Sequence, residues 1–509
     1  MLNRRTFLTG AAAGAAGGLW AQDAKEGDRS PRNLLVLLTD QHHAQWLGCA
    51  GHPLVKTPNL DRLAAGGARF TQAFVPVPYC SPTRLCIETG LFPSSLGLGR
   101  NIEGKGGEDP LRLREPQRVY QHELAARGYA CHQLGKWHLG VPQELSCFKE
   151  NDEAAVRALL KRRQQAAGSS LFDTGPREGE REQIGEVWLR QEAAEAHARW
   201  RAEKGTPKQD VGVIGRSSRK PAFHYESVLA DHCTSLLRRH RNEPFAITYS
   251  VSPPHAPWIA PAPYYDQYDP AAMPVPATWT QCPEQWAASP AARMGRIYGE
   301  AGLREYLRCY AAQVTMMDAC IGRILDVLDE LGLTGNTLVV FTSDHGNMLG
   351  QHGMMDKTHG TFYDDLMRVP LLMRLPGAVP AGRVSDALVA TADLAPTFLD
   401  YLGATPLPRA HGRSLRGVLE GRDSGYDAVF GERNEPASKS AARMVRTREW
   451  KLCLLPRGQH ELYDLKADPD ETRNVYADSA NAAVVKGLRE RLRAHMAAIG
   501  DPADYGAFA

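Results

Sequence analysis

Asn33-Leu-Leu-Val-Leu-Leu38 is a short, uninterrupted apolar run, and it ends in the polar sequence Thr39-Asp40-Gln41. An unbroken run of this length is typical of a strand buried on both faces, as in a parallel sheet covered by helices. Similar apolar runs occupy residues 245–249, 337–341 and 370–373. We therefore predict that these four segments are strands of one buried sheet.

Helical patterns lie between these runs. Residues 59–67 are predicted to form a short helix closed by glycine, and residues 304–331 have the periodicity of a longer helix that ends before Gly332. Strands that alternate with helices indicate an α/β fold. We therefore predict a large, mixed and mostly parallel sheet sandwiched by helices, within a main domain that spans residues 30–420.

Two regions differ in composition from this alternating pattern. Residues 141–220 are rich in Lys, Arg, Glu and Gln and poor in large apolar side chains, which predicts an inserted, solvated helical excursion. Residues 421–509 contain short apolar runs and a final amphipathic segment at 481–499, with Asn481 as its N-cap. This pattern predicts a small α+β C-terminal subdomain.

The overall composition excludes several classes of protein. The 509 residues include 60 Lys plus Arg and 58 Asp plus Glu, a formal net charge of +2, so the basic excess of a nucleic-acid-binding protein is missing. No apolar run reaches the ~18 residues of a membrane span. Ten cysteines in so long a chain do not indicate a disulfide scaffold, and we expect most of them to be free, buried thiols.

The amino-terminal segment has the features of an export signal. A pair of arginines, Arg4 and Arg5, precedes a Gly/Ala-rich apolar stretch that continues to Ala21 before the chain turns polar. This pattern resembles a twin-arginine signal over residues 1–21 and predicts an exported, periplasmic protein. A membrane anchor that stays attached is the alternative.

Polar side chains follow two of the predicted strands. Asp40 and Gln41 come after the first run, and Asp344 and His345 come after the run at 337–341. In open α/β sheets, ligands bind at the carboxyl ends of the strands. The four side chains predict a divalent cation site, whose oxygens suit Ca²⁺ or Mg²⁺ and whose imidazole tolerates Mn²⁺ or Zn²⁺. Either pair alone is also compatible with a helix cap or a turn.

The segment Cys80-Ser-Pro-Thr-Arg84 combines a thiol with a cation. Pro82 favours the first position of a helix, which would place Cys80 just before a helix N-terminus, where the partial positive charge lowers a thiol pKa. Arg84 adds a bidentate clamp for an anion. The segment therefore predicts an activated sulfur beside an oxyanion site, with a buried structural cysteine as the alternative.

Further cationic and imidazole side chains occupy short loops. Lys136 and His138 lie two residues apart, so that in an extended segment both would point to one face. His255 lies in a proline-rich loop after the run at 245–249, and Lys357 follows the strand end at Asp344. Each side chain alone is unremarkable, but together they indicate a catalytic site.

These blocks resemble the type I, formylglycine-dependent sulfatases of the alkaline phosphatase superfamily. The most specific signature of that family is the C-x-P-x-R element, here at 80–84. The later blocks follow in the family's order: Gly135-Lys-Trp-His138, Pro254-His255-Ala-Pro257, Ser343-Asp-His-Gly346 and Lys357. The resemblance covers residue 33 to about residue 476. It implies an alkaline phosphatase-like fold and a sulfuric ester hydrolase that acts on a sulfated carbohydrate or an aryl sulfate.

The resemblance also implies a modified nucleophile and a metal. In this family a formylglycine-generating enzyme oxidises the cysteine, here Cys80 and here in the cytoplasm before export, and the hydrated aldehyde attacks sulfur. One divalent cation is expected, with Ca²⁺ first and Mg²⁺ or Mn²⁺ as alternatives. Its implied ligands are Asp40, Gln41, Asp344, His345 and modified Cys80.

Catalytic roles follow from the same resemblance. Asp344 would act as the base for the nucleophile, and His255 or Lys357 would protonate the departing alcohol. His138 would deprotonate the remaining hydroxyl so that sulfate leaves. The sulfate group would be held by three cationic side chains: Arg84, Lys136 and Lys357.

Two residues depart from the commonest family pattern. Gln41 stands where many members have a second acid, and His345 stands where they have Asn. A branch that includes phosphonate monoester hydrolases and some sugar sulfatases shares both features. A phosphonate monoester or phosphodiester hydrolase is therefore one alternative, and a non-catalytic carbohydrate-binding relative is an alternative of another class. We expect the substrate to be a small-molecule or glycan sulfate ester, a sulfated sugar taken from its end.

Overall fold

The structure of this chain is a computed structural model. It describes residues 32–503 apart from 103–112, 114–116, 173–174, 185, 205–211, 359 and 434–440. The predicted export signal at residues 1–21 lies outside the described residues. Among the described residues, no helix combines the length and the apolar character that crossing a membrane requires.

The described residues form sixteen β-strands: β1 (Asn33–Thr39), β2 (Ala68–Phe74), β3 (Ala130–Gly135), β4 (Glu180–Ile184), β5 (Val187–Arg190), β6 (Ile214–Ser217), β7 (Phe245–Ser250), β8 (Trp258–Pro261), β9 (Thr337–Ser343), β10 (Arg368–Arg374), β11 (Arg383–Ser385), β12 (Val389–Ala390), β13 (Val429–Arg433), β14 (Ala442–Arg446), β15 (Trp450–Leu454) and β16 (Glu461–Asp464).

The same residues form twelve α-helices: α1 (Pro58–Ala65), α2 (Cys80–Thr89), α3 (Tyr120–Ala125), α4 (Asp152–Ala167), α5 (Gln191–Lys204), α6 (Tyr225–Arg239), α7 (Ala262–Tyr265), α8 (Pro290–Glu330), α9 (Asp364–Met367), α10 (Leu394–Tyr401), α11 (Arg416–Leu419) and α12 (Ala482–Ile499).

The largest sheet has eight strands in the order β11-β2-β10-β9-β1-β7-β3, with β12 paired to β2. Strand β1 is parallel to both β7 and β9, and β3 is parallel to β7. Strand β10 runs antiparallel to its two neighbours. The four predicted strands are thus confirmed as β1, β7, β9 and β10, and the sheet is mixed and mostly parallel as expected.

Apolar side chains cover both faces of this sheet. Along β1, Leu34 and Leu38 belong to a core shared with α2, α3 and α10. Leu35 and Leu37 point to the opposite face and pack with residues of α1, α6 and α8. This burial on both sides explains why β1 lacks the apolar–polar alternation of a half-exposed strand.

The long helix α8 begins at Pro290, earlier than the predicted start at 304. Ser289 caps it, because its side chain accepts a hydrogen bond from the backbone N–H of Ala292, and proline occupies the first helical position. Gly299 interrupts the helix with φ 64° and ψ −173°. The periodicity after 304 therefore revealed only the part of the helix beyond this break.

The charged segment at 141–220 is not the purely helical excursion that its composition predicts. It contains helices α4 and α5, but also β4, β5 and β6, which form a second sheet with β8 in the order β4-β5-β6-β8. Nor are all its charges solvated, because Arg216 is fully buried and makes a two-pronged ion pair with Glu180. The sequence did not predict these short strands, because a segment rich in charged residues lacks the apolar pattern of a strand.

The C-terminal subdomain is a four-stranded antiparallel sheet in the order β13-β14-β15-β16, with α12 packed against it. Helix α12 ends at Ile499, as the amphipathic pattern predicted. Asn481 occupies the N-cap position, yet its side chain makes no capping bond and instead donates to the carbonyl oxygen of Val475.

Candidate active site

The register of β1 and β9 brings two carboxylates together. Thr39 lies opposite Ser343 in this parallel pair, so Asp40 and Asp344 follow at the same edge of the sheet. The backbone N–H of Asp344 donates to the carbonyl oxygen of Thr39 over 3.2 Å, and the backbone N–H of Gln41 donates to Oδ1 of Asp344 over 3.1 Å. The predicted strand-end cluster is therefore assembled by backbone hydrogen bonds.

Helix α2 carries the thiol into this cluster. Cys80 is the first residue of α2 and Tyr79 is the N-cap, so the helix begins two residues earlier than predicted and Pro82 is its third residue. The Sγ atom of Cys80 lies 3.3 Å from Nε2 of His345 and 3.7 Å from Oδ1 of Asp40. It also lies 3.5 Å from Nζ of Lys357.

Arg84, one turn further along α2, faces the carboxylates. Its Nε donates to Oδ2 of Asp344 over 2.8 Å, and one Nη contacts Asp40 at 3.4 Å. The other Nη donates to Oγ of Ser250 and to the carbonyl oxygen of Lys136, each over 2.8 Å. The guanidinium thus pairs with both acids and holds them in place, and its contact with a bound anion stays a prediction.

The loop after β3 supplies a second cation. The Nζ atom of Lys136 contacts a carboxylate oxygen of Asp40. The strand ends at Gly135, and His138 has a positive φ of 61°, so the two side chains do not share the regular extended segment that was expected. The backbone carbonyl of His138 accepts a hydrogen bond from Oγ of Ser81 over 2.8 Å, which ties this loop to the residue after Cys80.

His255 and Lys357 form a direct pair. Nε2 of His255 lies 2.8 Å from Nζ of Lys357, and Nδ1 of the same ring lies 2.8 Å from the carbonyl oxygen of Ala256. Because a carbonyl oxygen only accepts, Nδ1 carries the ring proton and Nε2 accepts from the lysine ammonium. The pair therefore consists of a neutral imidazole and a charged amine in contact with Cys80.

Burial and the surrounding charges shift the pKa values of Asp40 and Asp344 in opposite directions. Burial opposes ionisation of Asp40, but the surrounding cations, with Lys136 the strongest, hold its pKa well below the usual value. Burial and the negative charge of Asp40 raise the pKa of Asp344 to about 6. Two acids whose pKa values are pushed apart are typical of a pair in which one stays ionised and the other exchanges protons.

The same field acts on the sulfur and its neighbours. Burial and Asp40 oppose the thiolate, but nearby cations, with Lys357 the strongest, hold the pKa of Cys80 well below its usual value. Burial and Lys357 lower the pKa of His255. Burial opposes the charged form of Lys357, yet Cys80 and Asp40 raise its pKa. The site thus favours an anionic nucleophile beside a protonated lysine.

The residues at the strand ends fit a divalent cation. Ligand atoms of Asp40, Cys80, Asp344 and His345 all lie within 4.8 Å of one another. The Oε1 atom of Gln41 is buried without a hydrogen-bond partner among the described residues, whereas its Nε2 donates to Asp356. An unpaired buried amide oxygen beside two carboxylates is a donor that a hard cation would satisfy.

Three residues that support the site were not singled out from the sequence. Ser250, the last residue of β7, orients Arg84, and Asp356 orients the amide of Gln41. Asn101 accepts a hydrogen bond from the backbone N–H of Ser81 at the start of α2. Ser250 lies at a strand end, so the rule that located Asp40 could also have located it. No local signal marks Asn101.

Comparisons with known proteins agree with this architecture. A family model described as Sulfatase matches residues 32–404, and a second, described as N-sulphoglucosamine sulphohydrolase, C-terminal, matches residues 350–498. An N-acetylglucosamine-6-O-sulfatase of Bacteroides thetaiotaomicron is 26% identical over 543 residues, which cover 93% of this chain and 87% of that protein.

Two solved structures have the same fold. One is a structure of a protein in complex with its substrate, D-glucosamine-2-N,6-O-disulfate. It has a TM-score of 0.71 and 23% identity, and the match covers 94% of this chain and 99% of that protein. The second is the phosphonate monoester hydrolase of Agrobacterium radiobacter, with a TM-score of 0.73 and 25% identity, covering 92% and 96%.

Fold and site together define a hydrolase of the alkaline phosphatase superfamily. Within that superfamily the chain belongs to the sulfatase family, whose model spans most of its length. It is a sulfatase, an enzyme that hydrolyses sulfate esters, and this family uses a metal ion and formylglycine.

Proposed function

We propose that this sulfatase releases inorganic sulfate from a sulfated carbohydrate, with formylglycine at position 80 and one divalent cation. The observation that carries the proposal is the position of Cys80. Its side chain lies between the candidate metal ligands on one side and the Lys357–His255 pair on the other. A reacting group at this point contacts both an electrophilic centre and a proton donor.

The nucleophile would be generated by Asp344. Formylglycine, once formed, supplies a hydrated aldehyde in place of the thiol. Asp344 is buried beside Cys80, and its raised pKa of about 6 makes it a better proton acceptor than Asp40. Arg84 holds the accepting carboxylate through Nε. We assign Asp344 as the base for this step.

Lys357 would supply the proton to the departing alcohol. The hydrogen-bond pattern leaves His255 neutral and places the mobile proton on the Lys357 ammonium. His255 then orients the lysine and can relay its proton. An alkyl alcohol, such as a sugar hydroxyl, depends on this proton far more than a phenol does, because the alkoxide is a much poorer leaving group.

His138 would act when sulfate leaves the enzyme. Its Nδ1 is buried and has no hydrogen-bond partner among the described residues, so this nitrogen is available for a proton. The bond between its carbonyl and Ser81 positions the loop beside residue 80. We assign His138 as the base that lets the modified side chain return to its aldehyde form.

Asp40, Gln41, Asp344, His345 and the modified side chain at position 80 would hold the cation. Bound there, it would supply positive charge to a sulfate oxygen and to the attacking group. Oxygen donors dominate this set, which favours Ca²⁺, while Mg²⁺ and Mn²⁺ are compatible with it. Lys136 and Lys357 add further positive charge for an anionic ester.

The substrate proposal is drawn from two sources. The relative from Bacteroides thetaiotaomicron is named as an N-acetylglucosamine-6-O-sulfatase, and one structural neighbour contains a disulfated glucosamine as its substrate. Within this chain, Lys357 contacts Cys80 and Lys136 contacts Asp40, so these cations lie around one point and not along a groove, which suits the end of a glycan better than its interior. A turnover screen of sulfated mono- and oligosaccharides tests the proposal, and sulfate release from simple aryl esters alone would defeat it.

A phosphonate monoester or phosphodiester hydrolase is the second candidate. Gln41 and His345 make the donor set less anionic than a set with three acids, and the Agrobacterium phosphonate hydrolase has the same fold. Rates on matched aryl sulfate and aryl phosphonate substrates separate the two candidates. A non-catalytic carbohydrate-binding role is disfavoured, because a binder has no need for a partly buried proton donor beside a buried sulfur.

We further propose that residues 1–21 direct export to the periplasm by the twin-arginine route. This route carries folded proteins, so a cytoplasmic formylglycine-generating enzyme would act on Cys80 before export. The burial of Cys80 in the folded chain agrees with modification at an early stage, before α2 has packed.

A further inference from the structure

A second group of titratable side chains lies outside the proposed active site. It lies between β3, α4 and α6, on the face of the sheet that packs against α6 and α8. Its members are His132, Glu150, Asp152, His232, Arg239, His240 and Glu243. His132 and His240 are buried, with exposed fractions of 4% and 8%.

A carboxylate accepts a hydrogen bond from Nδ1 of each of the two buried imidazoles. Nδ1 of His132 lies 3.1 Å from Oδ2 of Asp152, and Nδ1 of His240 lies 2.6 Å from Oε1 of Glu243. Burial opposes ionisation of Asp152, but hydrogen bonds from His132 and His232 lower its pKa, so it remains an acceptor. Each neutral ring therefore carries its proton on Nδ1 and a lone pair on Nε2.

These two lone pairs face each other. Nε2 of His132 lies 3.0 Å from Nε2 of His240. Two acceptor nitrogens at this distance repel each other unless a cation lies beside both. Two ligands about 2.0–2.1 Å from a tetrahedral zinc ion lie about 3.3 Å apart, so the rings need move only a few tenths of an ångström to share one.

A cation already lies beside both nitrogens. The guanidinium of Arg239 donates from Nε to His240 over 3.0 Å and approaches Nε2 of His132 at 3.5 Å. It also donates to Oε2 of Glu150 over 2.9 Å. The side chains of Arg239 and Glu150 are 47% and 49% exposed, so this ion pair lies on the solvent side of the two buried imidazoles.

We propose that His132, His240 and Glu150 form a second metal site, which takes Zn²⁺ in place of the Arg239 guanidinium. Two imidazole nitrogens and one carboxylate, with a water molecule as the fourth ligand, are a set that Zn²⁺ prefers over Ca²⁺ or Mg²⁺. Ligand atoms of His132 and Glu150 lie within 4.8 Å of each other, and Arg239 bonds to both His240 and Glu150. Asp152 and Glu243 occupy the positions of the carboxylates that orient zinc-binding histidines.

Metal binding here joins three parts of the fold. The ion would tie the start of α4 and the end of α6 to β3, the strand that leads into the Lys136 loop. The site is therefore a stabilising element for this side of the sheet.

Zinc stoichiometry after dialysis tests the proposal on the full-length protein in excess Ca²⁺. Wild type is compared with His240→Gln, which removes a ligand, and with His232→Gln, which removes a neighbouring imidazole whose Nε2 bonds only to Asp152 among the described contacts. We expect wild type and His232→Gln to bind one more Zn²⁺ per chain than His240→Gln. Any zinc at the proposed active site is equal in all three, because none of these substitutions touches it.

Arg239→Ala provides an independent test if His240→Gln does not fold. Removal of the competing guanidinium should strengthen Zn²⁺ binding by about tenfold and increase the zinc-dependent rise in melting temperature. Equal zinc uptake by wild type and His240→Gln would overturn the proposal. So would an Arg239→Ala variant that binds Zn²⁺ no more tightly than wild type, since the histidines would then share a proton or serve only the hydrogen-bond network.

Discussion

The Nζ atom of Lys357 lies 2.8 Å from Nε2 of His255, whose other nitrogen is occupied by the carbonyl oxygen of Ala256. This arrangement gives the two side chains different roles in proton transfer. The lysine holds the transferable proton and touches Cys80, while the histidine accepts from the lysine. The sequence left open which of the two is the general acid, and the hydrogen-bond geometry favours Lys357.

Substitution of Lys357 or His255 should slow hydrolysis by a factor that depends on the leaving group of the substrate. Lys357→Ala is expected to slow hydrolysis of a sugar sulfate by about 100-fold or more, and His255→Ala by about tenfold or more. His255→Ala should lose far less on nitrophenyl sulfate, because a phenolate leaves without a proton. Lys357→Ala should also lose less on this ester than on the sugar sulfate, but it removes a positive charge that both esters use. Initial rates on the two substrates measure this, with the exposed Lys466→Ala as a control. Equal losses on both substrates would remove the pair from the protonation step.

Modification of Cys80 should be detectable and specific. Peptide mass spectrometry of active protein is expected to show the aldehyde or its hydrate at Cys80, and Cys80→Ala should have no measurable turnover. Cys86 lies on the same helix but is buried elsewhere, and burial raises its pKa well above the usual value, so Cys86→Ala should retain the aldehyde. Fully active protein with only unmodified thiol at Cys80 would contradict this assignment.

Asp344→Ala should remove both metal and activity. This carboxylate belongs to the candidate cation site and is also the proposed base, so we expect turnover to fall by at least about 100-fold. Metal analysis after dialysis measures the bound ion, and the exposed Asp326→Ala serves as the matched control. Full metal occupancy in Asp344→Ala would show that the ion lies elsewhere.

Glu88 should make stability depend on pH. It is buried in α2, where Gln121 donates to it, and burial raises its pKa to about 8. The pKa of Glu88 is higher in the folded state than in the unfolded state. The protonated side chain therefore contributes fully to the free energy of unfolding below about pH 4.5, and this contribution is lost as the pH rises through about 8. The loss has an upper limit of about 1.4 kcal/mol per pH unit.

Urea unfolding between these pH values measures the effect of Glu88. The variant Glu88→Gln is expected to flatten the fall in the free energy of unfolding between about pH 4.5 and pH 8, whereas the exposed Glu449→Gln should leave this fall unchanged. If the free energy of unfolding depends on pH identically in wild type and Glu88→Gln, ionisation of the Glu88 carboxyl group does not destabilise the fold.

Export should depend on the arginine pair. The double variant Arg4→Lys with Arg5→Lys is expected to remain in the cytoplasm, with Cys80 still modified there. Fractionation followed by immunoblotting measures its location, and Lys466→Ala again serves as the control. Normal delivery of the double variant to the periplasm would exclude the twin-arginine route.

The sequence by itself determined four of the eight strands of the central sheet and the identity of the clustered side chains. Strands β1, β7, β9 and β10 were visible because unbroken apolar runs carry the signature of burial on both faces. Asp40 and Asp344 were visible because they come shortly after two of those runs. Such signals are local, since each depends only on neighbouring residues.

Only the tertiary structure decided which distant groups meet. The strands of the insertion were hidden because their charged side chains pair with one another, as Arg216 does with Glu180. His255 and Lys357, or His132 and His240, are about a hundred residues apart, and nothing local brings them together. Their contacts depend on strand register and on how loops and helices pack across the sheet, because a hydrogen bond requires placement to within a few tenths of an ångström and residue pattern alone does not set positions that finely.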